Sequence, residues 1–367
     1  MGDLRFWLGF NSVTGIGPAR LRALLDFFGD IEQAWRGSAS DLREAGLDRR
    51  SLASLVETRQ QLDLDQLLRR LEQSGAHALT WDDSDYPASL RTVYDPPPLL
   101  FVKGAITADD AWGVAVVGTR NPTAYGREVA RQLAADLVRN RVTVVSGLAR
   151  GVDAQAHRAA LDGGGRTLAV LGCGVDVIYP YEHRRMAQEI SEAGALVSDY
   201  PLGTLPEAGN FPPRNRIISG LSLGVVVVEA GATSGALITA QFATEQGREV
   251  FAVPGSILQR NSEGTNRLIR DGARPVLGVE DILEELNLKQ VAQQAEARTL
   301  FPADETEALL VKQLSNEPRH IDDVAHAAGL PMATAASTLT LMELKGLVRQ
   351  VGGMSYVLSR DTRLRDG

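Results

Sequence analysis

Short apolar runs alternate with longer amphipathic stretches through the central part of the chain. The runs are rich in β-branched residues, as expected of strands buried on both faces, and lie at residues 114–117, 142–145, 167–171, 195–197, 224–228 and 249–253. Between them, stretches such as 125–139 and 236–246 have the apolar spacing of helices. This alternation predicts an α/β fold with a doubly wound, mostly parallel sheet, and residues 275–277 are a candidate edge strand.

The N-terminal end of the chain has a different pattern. From residue 4 to about residue 75, apolar residues recur at helical spacing, and Pro18 suits the first turn of one helix. Pro87 and the three prolines at 96–98, in the segments 81–87 and 95–98, then predict an extended connection to the first strand of the sheet. We therefore predict a small helical domain before the sheet domain.

The C-terminal end combines helices with a hairpin. Residues 305–314, 321–328 and 332–345 have helical patterns, and two short strands follow around Gly352 and Gly353. Three helices followed by a hairpin are typical of a winged-helix-like domain. The predicted division is a helical domain at 1–78, the sheet domain at 79–288, a linker at 289–303 and the winged-helix-like domain at 304–367.

The charge, cysteine content and hydrophobicity of the chain exclude several classes of protein. The 367 residues carry a formal net charge of -8, which argues against coating duplex DNA by bulk positive charge but is compatible with a local basic groove. Cys173 is the only cysteine, so the chain has neither an internal disulfide nor a multi-cysteine zinc site. No stretch reaches the roughly 18 uninterrupted apolar residues of a membrane span. We expect a cytoplasmic protein without a membrane partner.

The turns after the predicted strands carry arginine or aromatic residues rather than catalytic acids. In an open parallel sheet these turns line one crevice. Gly118, Thr119 and Arg120 precede a predicted helix from Ala124, whose N-terminus could hold a phosphate while Arg120 supplies a forked contact. The alternative is that Arg120 pairs with a local carboxylate. The spacing departs from the dinucleotide-binding fingerprint, so we expect neither NAD nor another cofactor.

The second turn offers similar chemistry. Ser146, Gly147 and Arg150 bring a hydroxyl group, backbone access and another guanidinium, while Asp153 suits either a helix cap or an arginine partner. Further along, residues 179–185 contain two tyrosines, a histidine and two arginines, which we interpret as a solvated face.

Residues 210–216 contain the highest density of candidate ligand-binding side chains. Prolines stiffen this segment, and Arg214 and Arg216 can reach phosphates. Phe211 offers a ring on which a base can stack, although a place in the core is an equally open interpretation. Residues 229–235 add a loop rich in backbone and hydroxyl donors.

The sequence contains few groupings of residues that could be catalytic. The five histidines are dispersed, and the chain lacks the metalloprotease, nucleophile-elbow and Walker lysine motifs. His157 lies in a predicted helix, where a histidine is more often structural than catalytic. We predict no catalytic residue and no metal site.

Together, these turns resemble the DprA/Smf family of DNA-processing proteins. The matching segments are residues 117–120, 146–153, 211–218, 229–239, 253–255 and 264–266. The resemblance spans about the whole central domain and implies an extended Rossmann fold that forms a homodimer. It also implies a non-enzymatic protein of natural transformation that binds incoming single-stranded DNA, protects it and loads the RecA recombinase.

The resemblance also implies which residues meet the DNA. They are Gly118, Thr119, Arg120, Ser146, Gly147, Arg150, Phe211, Arg214, Asn215, Arg216, Ser234 and Gly235. The four arginines would contact phosphates, and Phe211 would stack on a base. The family often has lysine where Arg150 stands, a change that keeps the charge but alters the hydrogen-bond geometry.

Three further questions remain open at this level. Residues 15–17 resemble a helix-hairpin-helix turn, so the N-terminal domain either contacts duplex DNA weakly or contacts a protein.

Acidic residues outnumber basic ones after residue 303, which disfavours groove binding and favours a regulatory or partner contact. The alternative function is a nucleotide-processing enzyme similar to phosphoribohydrolases, but residues 235–243 lack the expected carboxylate and Glu245 comes late.

Overall fold

The computed structural model describes residues 3–288, 305–315 and 317–358. The chain divides into two compact units, Met1–Ile282 and Leu283–Gly367, which are described separately. The predicted linker at 289–303 lies outside the described residues. Among the helices of the described ranges, none has both the length and the apolar character that crossing a membrane requires.

The first unit begins with six helices. They are α1 (Leu4–Asn11), α2 (Pro18–Phe28), α3 (Ile31–Arg36), α4 (Ala39–Glu44), α5 (Arg49–Gln61) and α6 (Leu64–Gln73). Five of them begin at a side chain that accepts a backbone N–H group, namely Asp3, Asp30, Ser38, Asp48 and Asp63. Their core includes Trp7 and Phe10 and continues into Phe101 and Leu196 of the sheet, so these helices rest against one sheet face.

A nine-stranded sheet forms the centre of this unit. Its strands are β1 (His77–Thr80), β2 (Leu99–Gly104), β3 (Val114–Val117), β4 (Val144–Ser146), β5 (Thr167–Val170), β6 (Ala195–Ser198), β7 (Gly224–Val227), β8 (Glu249–Ala252) and β9 (Arg274–Pro275). Their order is β1-β2-β6-β5-β4-β3-β7-β8-β9. Pairing is parallel from β6 through β9 and antiparallel for β1 and β2. The predicted doubly wound, mostly parallel sheet is confirmed.

Helices connect the strands. They are α7 (Ala88–Arg91), α8 (Ala124–Arg139), α9 (Val152–Asp162), α10 (Arg184–Ala193), α11 (Phe211–Gly220), α12 (Ala236–Glu245), α13 (Glu263–Arg270) and α14 (Val279–Glu285). From β3 the chain adds β4, β5 and β6 on one side, and then returns to place β7 on the other side of β3. The loops after β3 and β7 therefore diverge and leave a crevice at the carboxyl edge of the sheet.

Two antiparallel strands were not predicted. β2 begins at Leu99, directly after the prolines that predicted an extended connection, and it pairs with both β1 and β6. Leu99, Leu100 and Phe101 are almost fully buried. The apolar run at 99–102 is compatible with a strand, but the three prolines directly before it favour an irregular connection. The sheet consequently starts at His77, close to the predicted boundary at residue 78.

The second unit has the predicted winged-helix form. Its elements are α15 (Glu305–Val311), β10 (Arg319–His320), α16 (Ile321–Ala328), α17 (Met332–Leu344), β11 (Val348–Gln350) and β12 (Ser355–Leu358). The strands pair in the order β10-β12-β11. Gly352 and Gly353 turn the hairpin with φ of 96° and 54°, values that favour glycine. The short β10 was not predicted.

Candidate functional site

The carboxyl edge of the sheet contains a cleft of about 620 Å³ at the switch point. We call it the strand-end cleft. It is built from the loops after β3, β4 and β7 together with the start of α11. Of the predicted site residues it brings together Gly118, Thr119, Arg120, Phe211, Arg214, Asn215, Ser234 and Gly235.

The loop after β3 is fixed by its backbone. The Thr119 N–H donates to the Glu229 carbonyl at 2.7 Å, and the Thr119 carbonyl accepts from the Val152 N–H at 3.2 Å. Gly118 has no room for a side chain, because a Cβ there would lie 2.6 Å from Val152 Cγ2. Arg120 follows with an exposed side chain. The sequence therefore anchors the backbone at Gly118 and Thr119 and presents the next guanidinium to solvent.

The N-terminus of α8 is occupied by a protein carboxylate. Glu229, which is buried, accepts from the Thr123 N–H at 2.9 Å and from the Thr123 hydroxyl at 2.5 Å. This negative charge stabilises the helix end, as an anion would. A phosphate at this N-terminus would therefore lie beside a protein carboxylate, and the predicted phosphate position stays a prediction. Glu229 is a residue that the sequence pattern alone does not indicate.

The loop after β4 is organised around a buried carboxylate. Asp153 accepts the N–H groups of Gly147 at 3.1 Å and Ala149 at 3.3 Å. Burial raises the pKa of Asp153, and the positive charge of Arg214 opposes that shift. The Ser146 hydroxyl is fully buried and donates to the Val116 carbonyl at 2.7 Å, so it supports the loop without access to the cleft.

His157 completes this support as a neutral ring. Its Nε2 accepts from the Leu148 N–H at 3.3 Å, and its Nδ1 lies 2.7 Å from the Thr167 hydroxyl. That hydroxyl donates to the Val144 carbonyl, so it accepts from Nδ1–H and fixes the tautomer. Burial lowers the pKa of His157 to about 3. The ring thus has a structural role.

Arg214 forms the floor of the cleft. Its side chain is buried, and its guanidinium donates to the Gly147 carbonyl at 2.8 Å and to the Val170 carbonyl. Burial lowers the pKa of Arg214, and the charge of Asp153 opposes that shift. A Cβ at Gly147 would lie 2.7 Å from the guanidinium, which explains the glycine there. Arg214 therefore ties the loops together from below.

Phe211 stands between two guanidinium groups. The Arg120 Cζ lies 5.4 Å from the ring centroid, and the Arg214 Cζ lies 5.8 Å from it. Both distances are typical of cation–π contacts. The ring is half-buried and lines the cleft, and the Tyr179 ring lies 5.7 Å away. Tyr179 was not predicted as a site residue, and the only signal was its aromatic side chain after β5.

Arg216 does not join the cleft. Two residues along α11 correspond to roughly 200° of rotation, so Arg214 and Arg216 point in opposite directions. The Arg216 guanidinium lies 2.7 Å from Asp199 and donates to the Asp95 carbonyl at 2.5 Å. It lines a separate cavity of about 160 Å³ with Trp7. The structure therefore does not bring Arg216 together with the other predicted site residues, and its role as a phosphate contact stays a prediction.

The remaining predicted residues lie on the rim. The Asn215 Nδ2 donates to the Gly235 carbonyl at 3.3 Å, and Ser234 lines the cleft just before α12. Arg150 lies in a small recess beside the cleft, together with Arg120, and pairs with Glu182 at 2.6 Å. The Glu182 carboxylate raises the pKa of Arg150. Three of the four predicted arginines are thus gathered around Phe211.

The site offers cations, backbone groups and the rings of Phe211 and Tyr179. Within the described residues, no group of three or more histidine, cysteine, aspartate or glutamate side chains could hold a metal ion. Both buried carboxylates, Asp153 and Glu229, are engaged by backbone N–H groups. This arrangement is suited to holding an anion beside a planar group.

Comparisons with known proteins agree with this chemistry. The profile of the DNA recombination-mediator protein A family matches residues 77–287, and that of the DprA winged helix domain matches residues 294–354. Protein Smf of Escherichia coli is 40% identical, covering 100% of this chain and 98% of its own length. DNA processing protein DprA of Streptococcus pneumoniae is 41% identical, covering 74% of this chain and 94% of its own length.

Solved structures give the same relationship. The crystal structure of DprA from Streptococcus pneumoniae matches with a TM-score of 0.69 and 36% identity, covering 78% of this chain and 99% of that one. DNA processing protein A from Helicobacter pylori, whose structure concerns its single-stranded DNA binding mode, matches with a TM-score of 0.52 and 31% identity, covering 58% and 95%. The resemblance seen in the turn sequences is confirmed, and the chain belongs to the DNA recombination-mediator protein A family.

Proposed function

We propose that this protein binds single-stranded DNA in the strand-end cleft. The observation that carries the proposal is the exposed Arg120 guanidinium, 5.4 Å from the Phe211 ring at the mouth of the cleft. A guanidinium binds phosphate, and a ring stacks on a base of any sequence, which together recognise an unpaired strand. Because the net charge is -8, affinity must come from this local group of cations.

The wider role follows the family resemblance. We propose that the protein protects incoming single-stranded DNA during natural transformation and loads RecA, as a homodimer in the cytoplasm. Exposed apolar side chains support a self-contact: Ile257, Leu258 and Leu277 are 88%, 90% and 86% exposed in the loops after β8 and β9. The Helicobacter pylori relative, with its single-stranded DNA binding mode, supports the choice of ligand.

The proposal includes the predicted division into domains at 1–78, 79–288, 289–303 and 304–367. The helical domain keeps its two alternatives, a weak contact with duplex DNA or a protein contact. The acidic balance of the C-terminal domain supports a regulatory or partner-contacting role there.

We propose a binding protein rather than a nucleotide-processing enzyme. Glu245 is the last residue of α12, and Glu229 is buried against Thr123. Neither carboxylate is among the residues that line the cleft, and Asp153, which does line it, is held by two backbone N–H groups. Multiple-turnover release of base from mononucleotides would contradict this part of the proposal.

The test is a titration of fluorescent oligothymidine across a salt series. We expect affinity to fall as salt rises, because bound phosphates release counterions. Arg120→Glu should weaken binding by at least about tenfold, since it removes a cation and adds a repelling charge beside the phosphate path. Circular dichroism and thermal unfolding should match the unsubstituted protein, because the Arg120 side chain is exposed.

Arg139→Glu is the matched control. The Arg139 side chain is 72% exposed at the last residue of α8, and the substitution makes the same change of charge outside the residues that line the cleft and outside α10. We expect less than about a twofold change in affinity for this variant. Equal affinities of the unsubstituted protein and the Arg120→Glu variant would refute binding in the strand-end cleft.

A further inference from the structure

A ledge of aromatic and cationic side chains adjoins the strand-end cleft. It comprises Tyr179, Tyr181 and Arg184 and runs from the loop after β5 into the start of α10. Tyr181 is 67% exposed, and the Arg184 Cζ lies 3.9 Å from its ring centroid. From sequence, this segment was interpreted as a solvated face. The stacked ring and guanidinium come shortly after Tyr179, which lines the cleft, and they call for a different explanation.

The ledge is held in place by the neighbouring loop. The His183 Nδ1 lies 2.9 Å from the Leu148 carbonyl and donates to it. One residue earlier, Glu182 pairs with Arg150 at 2.6 Å. Both contacts join the ledge to the loop after β4, which also forms a wall of the cleft. The position of the ledge is therefore fixed relative to Phe211 before any ligand arrives.

The ledge is also continuous with the cleft. Tyr179 lines the cleft, and its ring centroid lies 5.7 Å from that of Phe211. Tyr179 and Pro180 line the small recess that contains Arg120 and Arg150. Guanidinium and ring groups thus follow each other from Arg120 through Phe211 to Tyr179. The stacked pair of Tyr181 and Arg184 begins two residues further along the chain. Such an alternation is typical of a track for an unpaired strand.

The opposing charge on the ledge is already neutralised. Glu182 is the only carboxylate between Tyr179 and Arg184, and it is paired with Arg150. Further along α10, Glu189 is paired with both Arg185 and Arg158. The Arg184 guanidinium has a ring partner, Tyr181, and it can contact a phosphate through its edge while its face stays on the ring.

We propose that this ledge is a second nucleotide-binding subsite, which binds bases and phosphates of a single strand beyond the nucleotides held in the strand-end cleft. The proposal rests on the proposed function, because it extends the same bound strand. Tyr181 stacks on a base, and Arg184 contacts the adjoining phosphate. The subsite therefore sets the length of strand that the protein needs for full affinity.

The experiment compares short and long oligothymidines, of roughly 4 and roughly 12 nucleotides, on the full-length protein. We expect the unsubstituted protein to bind the long strand more tightly. Tyr181→Ala should weaken long-strand binding by roughly 5- to 150-fold, the range for loss of one stacked base, and leave short-strand binding within about twofold. Tyr181→Trp should retain the long-strand affinity, because it keeps a stacking ring.

Arg184→Gln provides an independent measurement. It should reduce the salt dependence of long-strand binding by about one phosphate contact, whereas Arg185→Gln, the adjacent exposed arginine, should not change it. Equal losses for both strand lengths, or no loss in Tyr181→Ala, would overturn the second subsite. Failure of the unsubstituted protein to bind either strand would instead refute the proposed function.

Discussion

The strand-end cleft presents cationic groups, whereas the exposed face of α17 presents none. In an open parallel sheet the ligand usually binds in such a cleft, and in a winged helix it usually binds on such a helix. The cleft has Arg120 and Arg150 on its rim and Phe211 between guanidinium groups. Helix α17 contains no lysine or arginine and exposes Met332, Ala333, Thr334, Ser337, Thr340 and Leu344.

This difference shows why a winged-helix fold does not by itself indicate DNA binding. A recognition helix needs cations to reach phosphates and polar groups to read bases. In the second unit Lys345, directly after α17, is buried with Glu307. The two units therefore differ in side-chain chemistry: one presents guanidinium groups beside a ring, and the other presents a helix face without lysine or arginine.

The largest effect concerns the floor of the cleft. Arg214→Ala should lower the free energy of unfolding by about 3 to 5 kcal/mol, because it leaves two buried carbonyls without their donor and removes the positive charge that opposes the burial of Asp153. Urea unfolding monitored by circular dichroism measures this loss. Arg185→Ala, on the surface, should change stability by less than about 0.5 kcal/mol. Similar stabilities for the two variants would show that Arg214 is not structural.

The next effect is a pH dependence located in the same unit. The folded state depresses the pKa of His157 to about 3, so the unfolded chain binds the proton first as pH falls. This contribution to stability is present above the unfolded pKa of about 6.5 and is lost below it, by about 1.4 kcal/mol at pH 5.5.

A pH series of unfolding curves measures this loss, and His157→Gln should flatten it. Hydrogen exchange should place the loss in peptides from residues 3–282, where His157 supports the cleft. An unchanged pH slope in His157→Gln would contradict a buried neutral ring.

A smaller effect concerns the rim of the cleft, where a substitution should increase DNA affinity rather than reduce it. Glu182→Gln should tighten binding of the short strand, which does not reach the ledge, by about two- to fivefold, because it frees Arg150 and removes a negative charge beside the cleft. Anisotropy titration at low salt measures the gain. Glu192→Gln, an exposed change of the same charge at the end of α10, is the control and should leave affinity unchanged. Weaker binding in Glu182→Gln would mean that the ion pair itself organises the site.

The smallest effect tests the other side of the comparison. Ser337→Glu combined with Thr340→Glu places two negative charges on the exposed face of α17. We expect oligothymidine affinity to stay within about twofold, because this face offers no cation to a phosphate. A loss of affinity greater than tenfold, with the fold intact, would show that the winged helix contacts the DNA. The two units would then not differ in DNA binding.

Local signals account for most of the fold. The β-branched runs predicted the parallel strands, and the helix spacing predicted the helices between them. Gly118 and Gly147 were recognised as turn residues, and each is required because a neighbouring side chain fills the space of a Cβ. The antiparallel β1 and β2 were missed, since their pairing joins residues far apart in sequence and prolines masked the start of β2.

The order of residues along the chain already specifies which chemical groups follow the strands: glycine turns, guanidinium groups and the Phe211 ring. How each group is used depends on the partners that it meets in the folded chain. Arg214 and Arg216 look equivalent in sequence, yet one supports the cleft floor and the other pairs with Asp199 on the opposite side of α11. The reason is physical, because helical rotation and burial assign partners that no local pattern records.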